Sequence, residues 1–266
     1  MVTTSPTPVK LPGTRPEGIR DEREAAALVR EMFGKIVPRY DFLNHLLSFS
    51  LDRVWRSRTA KRFAHILRRR EARILDLCCG TGDLAFALER VRSNAIGGRG
   101  RAGDVPPVIG GDFVEQMLER ASKKAKAGEY TAVFVTSDAM NLPFKSEQFD
   151  LVTAAFGFRN LANYEKGLRE FARVLKRDGE VGILEFSEPS SGMMAGLFRF
   201  YFKNVLPRIG RVLSGDKVAY SYLPASVGKF PGPAELSSMM EAAGFRNVRV
   251  ESWNFGSVLL HTAQRS

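Results

Sequence analysis

The 266-residue sequence predicts a doubly wound α/β fold, a seven-stranded and mostly parallel sheet with helices on both faces, preceded by N-terminal helices. Three observations carry this expectation. From Arg73 onward, short apolar runs alternate with stretches of helical period, an alternation that builds a parallel sheet covered on both faces. Gly80-x-Gly82-x-x-Ala85 follows the first such run directly, as at the strand-to-helix turn of doubly wound sheets. The last two apolar runs are joined only by Asn254-Phe255-Gly256. That is too short for a parallel crossover, so they should pair antiparallel at or near the sheet edge.

The elements follow in order. Residues 1–20 read as a flexible tail, rich in Pro, Thr and Ser and without the apolar centre of a signal peptide. Residues 21–266 read as one domain whose N-terminal helical region covers about residues 21–70. Leu28, Val29, Met32, Phe33 and Ile36 recur at helical spacing and stop at Pro38. Residues 39–45 read as a loop, and a second helix runs from about Leu51 to Leu67. Strands are expected over 73–78, 108–112, 131–136, 149–156 and 180–186, and helices over 83–91, 114–126 and 164–175. Residues 93–107, rich in Gly, Arg and Pro, read as a loop. Pro233 opens a helix that Gly244 closes, and strands over 247–253 and 257–263 end the chain.

With 44% hydrophobic and 26% charged residues the chain can bury a sizeable core. No apolar run approaches the roughly 18–20 residues of a membrane span. The most apolar stretch, 193–213, is interrupted by Arg199, Lys203, Arg208 and Arg211, so a soluble protein is expected. Cys78 and Cys79 are adjacent and form no ordinary disulfide framework. With three scattered histidines and no CxxC, no metal site is expected. The cysteines suit a reducing cytoplasm. The net charge of +11 is concentrated in Arg53, Arg56, Arg58, Lys61, Arg62, Arg68, Arg69, Arg70 and Arg73. Nucleic acid and an anionic membrane surface are the two partners such a run can serve, and a solvated helix face is the plain alternative.

The glycine loop lets a backbone approach a ligand at a helix N-terminus, although a tight turn alone would also use Gly80 and Gly82. Asp112 ends the second strand, where an acid can accept both hydroxyls of a ribose; helix capping is its other reading. After the third strand comes Ser137-Asp138-Ala139-Met140-Asn141-Leu142-Pro143-Phe144. There Asp138 can bond an adenine amino group while apolar neighbours flank the ring. Phe149-Asp150-Leu151-Val152 and Val174-Leu175-Lys176-Arg177-Asp178-Gly179 complete the series.

That series resembles the Rossmann-like class I methyltransferases, whose cofactor is S-adenosyl-L-methionine. Val37-Pro38-Arg39-Tyr40-Asp41-Phe42-Leu43-Asn44, Asp76-Leu77-Cys78-Cys79-Gly80-Thr81-Gly82-Asp83, Phe156-Gly157-Phe158-Arg159-Asn160 and Leu184-Glu185-Phe186-Ser187 narrow the resemblance. So do Val205-Leu206-Pro207-Arg208-Ile209-Gly210 and Tyr222-Leu223-Pro224-Ala225-Ser226-Val227. Together they resemble the ubiquinone/menaquinone biosynthesis C-methyltransferase family from about Arg30 to the C-terminus. The resemblance implies methylation of a ring carbon on a prenylated quinol, demethylmenaquinol first. A benzoquinol of ubiquinone synthesis is the runner-up, and RNA methylation the alternative from another class; no RNA module accompanies the charge, so nucleic acid is not the expected partner. The family's pattern implies cofactor contacts at Thr81, Asp112, Asp138 and Ala139, and Asp76, Gly80 and Gly82 are expected to join them. Ala155 stands where some members carry a serine, which removes a hydroxyl, and the 93–107 loop is longer than usual.

The substrate's chemistry adds expectations. A hydroxyl that loses its proton pushes electron density onto the adjacent ring carbon, so a donor for the phenolate-like oxygen is needed. Arg159 and Asn160, just past the fourth strand, are placed for that task, although Arg159 could instead sit in an ion pair. Tyr40, Asp41 and His45 could cover the substrate, with His45 a candidate base. A prenyl tail demands membrane access. Met193, Met194, Leu197, Phe198, Phe200, Tyr201, Phe202, Val205 and Leu206 suit such a tail or a core helix equally. Peripheral contact with an anionic membrane is expected through the basic helix around residues 53–70, with Trp55 and Phe63 adding apolar contact. Oligomeric state is not legible in the sequence.

Overall fold

The structure, a computed structural model, describes residues 13–14, 19, 21–97, 105–189, 196, 204 and 226–266. The apolar segment expected to receive a prenyl tail, most of the tail over 1–20 and the motif at 205–210 lie outside them. The elements are α1 (Glu22–Ile36), α2 (Tyr40–Leu47), α3 (Leu51–Arg62), α4 (Ala64–Leu67), β1 (Ile74–Leu77), α5 (Asp83–Ala95), β2 (Val108–Asp112), α6 (Glu115–Ala127), β3 (Val133–Thr136), β4 (Phe149–Ala155), α7 (Tyr164–Val174), β5 (Leu175–Phe186), α8 (Pro233–Ala242), β6 (Phe245–Trp253) and β7 (Val258–Arg265). The strands form one sheet in the order β3-β2-β1-β4-β5-β7-β6. β1 to β5 are mutually parallel, and β7 runs antiparallel to both its neighbours, as its short connection requires.

Side-chain alternation sorts the sheet into two faces. On β1, Leu75 and Leu77 join Phe158, Leu168 and Phe171 beneath α7, and Leu236 and Met240 of α8. Ile74 points the other way, into a second core with Ala60, Phe63 and Leu67 of α3–α4 and Leu84 and Leu88 of α5. Asp76, two residues after Ile74, therefore shares the α3–α5 face by the period of two. Helix starts are capped by side chains: Asp21 accepts from the Glu24 amide at 2.8 Å, and Asn163 from the Lys166 amide at 3.0 Å.

Four local expectations need correction. Helix α2, Tyr40–Leu47, replaces most of the loop expected over 39–45 and runs two residues past it. Pro38 ends α1 as expected, but it opens a 3-10 turn at Val37–Arg39, because proline is compatible with a first helical turn. The single helix expected over 51–67 breaks at Phe63, whose ring is fully buried. α5 runs to Ala95, inside the expected loop. Within the tail, Thr14 is buried, its amide donating to Leu161 O at 3.1 Å.

Of the basic stretch, Arg53, Arg58, Lys61, Arg68, Arg69, Arg70 and Arg73 are exposed, and the rest is drawn into the fold. Arg56 is buried and paired with Asp52. Arg69 binds Asp150 at 2.7 Å and Arg62 binds Glu251 at 2.8 Å. Trp55 and Phe63, expected to reach lipid, are core residues.

Phe63 fits because β5 offers it a glycine: a Cβ on Gly182 would lie 2.6 Å from its ring carbons. Gly182→Ala should therefore destabilise the fold by about 1–3 kcal/mol, seen as a lower urea midpoint at unchanged slope. Phe63→Leu added to it should recover part of the loss. An unchanged midpoint in the single variant would show that the ring is not wedged there.

Candidate active site

The carboxyl ends of the parallel strands open onto a cavity with about 820 Å³ of empty space, the solvent at its mouth included, the position at which doubly wound sheets bind ligands. Its walls come from four loops and three helices. Cys78 and Gly80 follow β1, Asp112 and Phe113 close β2, Ser137 to Met140 follow β3, and Phe156, Gly157 and Asn160 follow β4; Arg30 and Phe33 of α1, Tyr40 of α2 and Met117 of α6 cover them.

The β1 turn is shaped by backbone conformation. Gly80 and Gly82 have φ of 53° and 88°, values that favour glycine. A Cβ on Gly80 would reach to 3.6 Å from the Tyr40 ring, which lies over the loop. Gly82 does not line the cavity, contrary to the expected ligand contact. Its Cβ would lie 2.9–3.0 Å from Phe86 and Phe134, so it serves the packing of those two rings.

Asp112 is not the N-cap of α6, which is Val114 without a side-chain cap bond; its carboxylate stands at the cavity wall instead. Its Oδ2 accepts from the Gly80 amide and its Oδ1 from the Val114 amide, each at 2.9 Å, while the carboxylate lines the cavity. A carboxylate has about four acceptor sites, so room remains for ribose hydroxyls. Burial raises its pKa, and the backbone amides oppose the rise. Asp138 is exposed at the cavity wall with Oδ1 accepting from the Met140 amide at 2.8 Å, beside buried Ala139. Its second oxygen is not used by that turn.

A smaller cavity, with about 300 Å³ of empty space including the solvent at its mouth, shares the Tyr40 and Cys78 walls of the first and adds Arg56, Asp76, Thr81 and Asp83. Asp76 is 0% exposed; Oδ1 accepts from Thr153 at 2.7 Å and Oδ2 has no partner among the described residues. Desolvation pushes its pKa up to about 7, against the Thr153 bond and the charge of Arg56. The Thr81 hydroxyl, an expected cofactor contact, is engaged by the protein: it donates to Asp41 and accepts from Lys124 at 3.1 Å. Lys124 also binds Asp83 at 2.5 Å, and Arg120 binds Asp41 at 3.0 Å. This network fastens α2 across α5 and α6.

The four expected catalytic residues divide. Tyr40 and Asn160 line the large cavity, and Asn160 Oδ1 is buried with no partner among the described residues. Burial holds the Tyr40 phenol above its ordinary pKa, so it stays a donor. Arg159 and His45 do not line it. The Arg159 guanidinium is buried against Glu185 at 2.9 Å and bonded to the Phe156 carbonyl, while its backbone amide donates to Glu185 Oε1 at 3.0 Å. His45 Nδ1 is paired with Asp52 Oδ2 at 2.8 Å. Both side chains are engaged with carboxylates, Arg159 in the ion pair that is the alternative reading for it. Among the wall residues that the sequence reading missed, Phe113 and Ser137 sit next to named acids and were within reach of it. Arg30, Phe33, Met117 and Arg56 arrive from helices far away in sequence and carry no local signal.

The buried acceptors without partners, Asp76 Oδ2, Ser137 Oγ and Asn160 Oδ1, suit a polar ligand in an otherwise apolar cavity. With the strand order and the acids at the ends of β2 and β3, they fit the cofactor site of a class I S-adenosylmethionine-dependent methyltransferase. A SAM-dependent methyltransferase from Thermotoga maritima superposes with TM-score 0.61 at 18% identity, over 89% of this chain and 99% of its own. The methyltransferase CalH in complex with SAH gives 0.58 at 15%, over 82% of this chain and 60% of its own. The [4+2]-cyclase SpnF gives 0.57 at 16%, over 89% of this chain and 94% of its own, so the fold alone does not fix the reaction. Sequence does: the chain belongs to the ubiE/COQ5 methyltransferase family, matching it over residues 19–265. It is 44% identical over 238 residues to the demethylmenaquinone methyltransferase of Deinococcus radiodurans, covering 90% of this chain and 92% of that one. It is 45% identical over 234 residues to the demethylmenaquinone methyltransferase of Thermus thermophilus, covering 88% and 100%.

Asp76 sets a pH dependence of stability. Its pKa is 3.8 unfolded and about 7 folded, so the native state favours the protonated acid. Its contribution is full below about pH 4 and is lost as pH rises to about 7. Asp76→Asn should therefore be more stable than the parent at pH 8 by roughly 2–4 kcal/mol, the gap closing toward pH 4. Parallel melting curves across that range for both proteins would remove Asp76 as the source.

Proposed function

We propose that the protein methylates a ring carbon of a prenylated quinol, demethylmenaquinol in menaquinone synthesis. The observation that carries the reading is the pairing of Tyr40 and Asn160 on one apolar cavity, in a chain whose relatives at 44–45% identity bear that activity in their names. S-adenosylmethionine, when bound, supplies an electrophilic methyl group. Asp138 and Ala139 are the contacts for its adenine, Asp112 for the ribose and Asp76 for the amino-acid end. On the substrate side, Asn160 Oδ1 accepts a hydrogen bond from a quinol hydroxyl, and the protonated Tyr40 phenol donates one to the oxygen that gains charge. The ring carbon takes the methyl group and then loses its proton, restoring aromaticity. Holding both reactants in one cavity lowers the barrier by roughly 7–11 kcal/mol. Arg159 acts through Glu185, fixing the turn that presents Asn160.

The membrane surface is the second part of the reading. α2 and α3 expose Phe42, Leu46, Leu51 and Val54, with Phe49 between them 77% exposed. Arg53, Arg58 and Lys61 are exposed on the same α3 helix. Apolar side chains flanked by cations are suited to the interface of an anionic bilayer. No described helix is long and apolar enough to cross a membrane.

Cells lacking the protein should accumulate a naphthoquinone one methyl lighter in mass spectrometry. Complementation with Asn160→Ala should restore the product about 100-fold more slowly while S-adenosylhomocysteine affinity is kept. A benzoquinone intermediate in its place would move the substrate, and wild-type turnover in the variant would remove Asn160 from the site.

Co-sedimentation with liposomes should rise with anionic lipid, decline with salt, and weaken in Phe42→Ser/Phe49→Ser and in Arg53→Gln/Lys61→Gln. A protein that ignores such liposomes yet retains RNA on a filter would overturn the membrane reading.

A further inference from the structure

We propose that Arg56, carried on α3 outside the strand–helix units, is a ligand residue of the smaller cavity, its guanidinium holding the α-carboxylate of the cofactor's amino-acid end. The proposal rests on S-adenosylmethionine being the ligand of this site and adds the residue that reads its anionic group.

The argument is one of charge and direction. Arg56 is 8% exposed, stacks on Phe156 at 5.3 Å from the ring centroid, and uses one terminal nitrogen on Asp52. A guanidinium carries five donors in a fixed fork, so this pairing leaves others for a second carboxylate. The cavity it lines also holds Asp76, whose Oδ2 is fully buried and without a partner among the described residues. A cation and an acceptor facing one small space match the carboxylate and ammonium of an α-amino acid. The third charged wall residue, Asp83, would repel a carboxylate, but Lys124 binds it at 2.5 Å. The larger cavity continues past Tyr40 and Cys78 to Asp112 and Asp138, the contacts for ribose and adenine. A ligand lying along both cavities therefore brings its amino-acid end to Arg56.

The test compares three probes on the full chain by calorimetry: S-adenosylhomocysteine, decarboxylated S-adenosylhomocysteine, and 5′-methylthioadenosine, which has no amino-acid end. The unaltered protein should bind the first roughly 10–100-fold more tightly than the second, the range expected for one charge-assisted pair. Arg56→Gln should weaken S-adenosylhomocysteine by the same factor and leave methylthioadenosine unchanged, which also shows that the variant is folded. In that variant the carboxylated and decarboxylated ligands should bind alike, and Arg56→Lys should restore part of the preference. Equal binding of the first two probes by the unaltered protein, or equal weakening of S-adenosylhomocysteine and methylthioadenosine in a folded variant, overturns the assignment to Arg56. If no probe binds at all, the cofactor reading fails and the proposal with it.

Discussion

The site depends on one carboxylate at the end of β2. Asp112 accepts the amide of Gly80 from the neighbouring strand's turn and the amide of Val114 from the start of α6, while the Cys79 amide bonds Gly111 O at 3.1 Å. Two loops leaving adjacent parallel strands are thus fixed to each other by buried bonds before any ligand arrives. Each unmade bond would leave a buried polar group unsatisfied, at about 1–3 kcal/mol. That accounts for an acid held in an environment that raises its pKa. The glycine turn, Asp112 and the start of α6 are consequently one rigid piece.

The N-terminal helices complete this piece. Asp41 on α2 reaches Thr81 on the glycine turn and Arg120 and Lys124 on α6. Tyr40 beside it lies over Gly80, and Arg56 on α3 faces Asp76 across the smaller cavity. The acids of the sheet edge supply one side of the site and the helices before the sheet supply its cover and a cation. An acid at Asp76 is unfavourable for folding, since nothing among the described residues satisfies its second oxygen. Its cost is borne at the ligand-facing end of the sheet, where a completed site can recover it.

Local chemistry made some features legible in the sequence and long-range packing hid others. Strands β1, β2 and β4 read clearly because burial on both faces makes each a short apolar run, and Gly80, Asp112 and Asp138 read clearly because the strand before each fixes its place at the sheet edge. α2 was hidden by Pro38, which ends one helix and opens the next turn. The orientation of Arg159 was hidden because its partner Glu185 comes from β5. The contributions of Arg30, Phe33 and Arg56 depend on how α1 and α3 cross the sheet, which no local pattern records.

Charge shows the same division. A net +11 suggests a broadly basic surface, yet many of these cations are engaged within the fold. Asp150 alone gathers Arg69 and Lys176, Glu185 holds Arg159, Glu170 holds Arg173, and Arg265 donates to the Leu175 carbonyl. An arginine whose guanidinium is bound at fixed geometry adds little to a diffuse field that salt already screens beyond about 8–10 Å. Arg53, Arg58 and Lys61 remain exposed on α3, beside apolar side chains rather than in a stripe of their own. Phosphate backbones attract cations without requiring apolar neighbours, whereas a bilayer interface rewards both together. The placement of the charge, more than its total, is what the proposed lipid contact draws on.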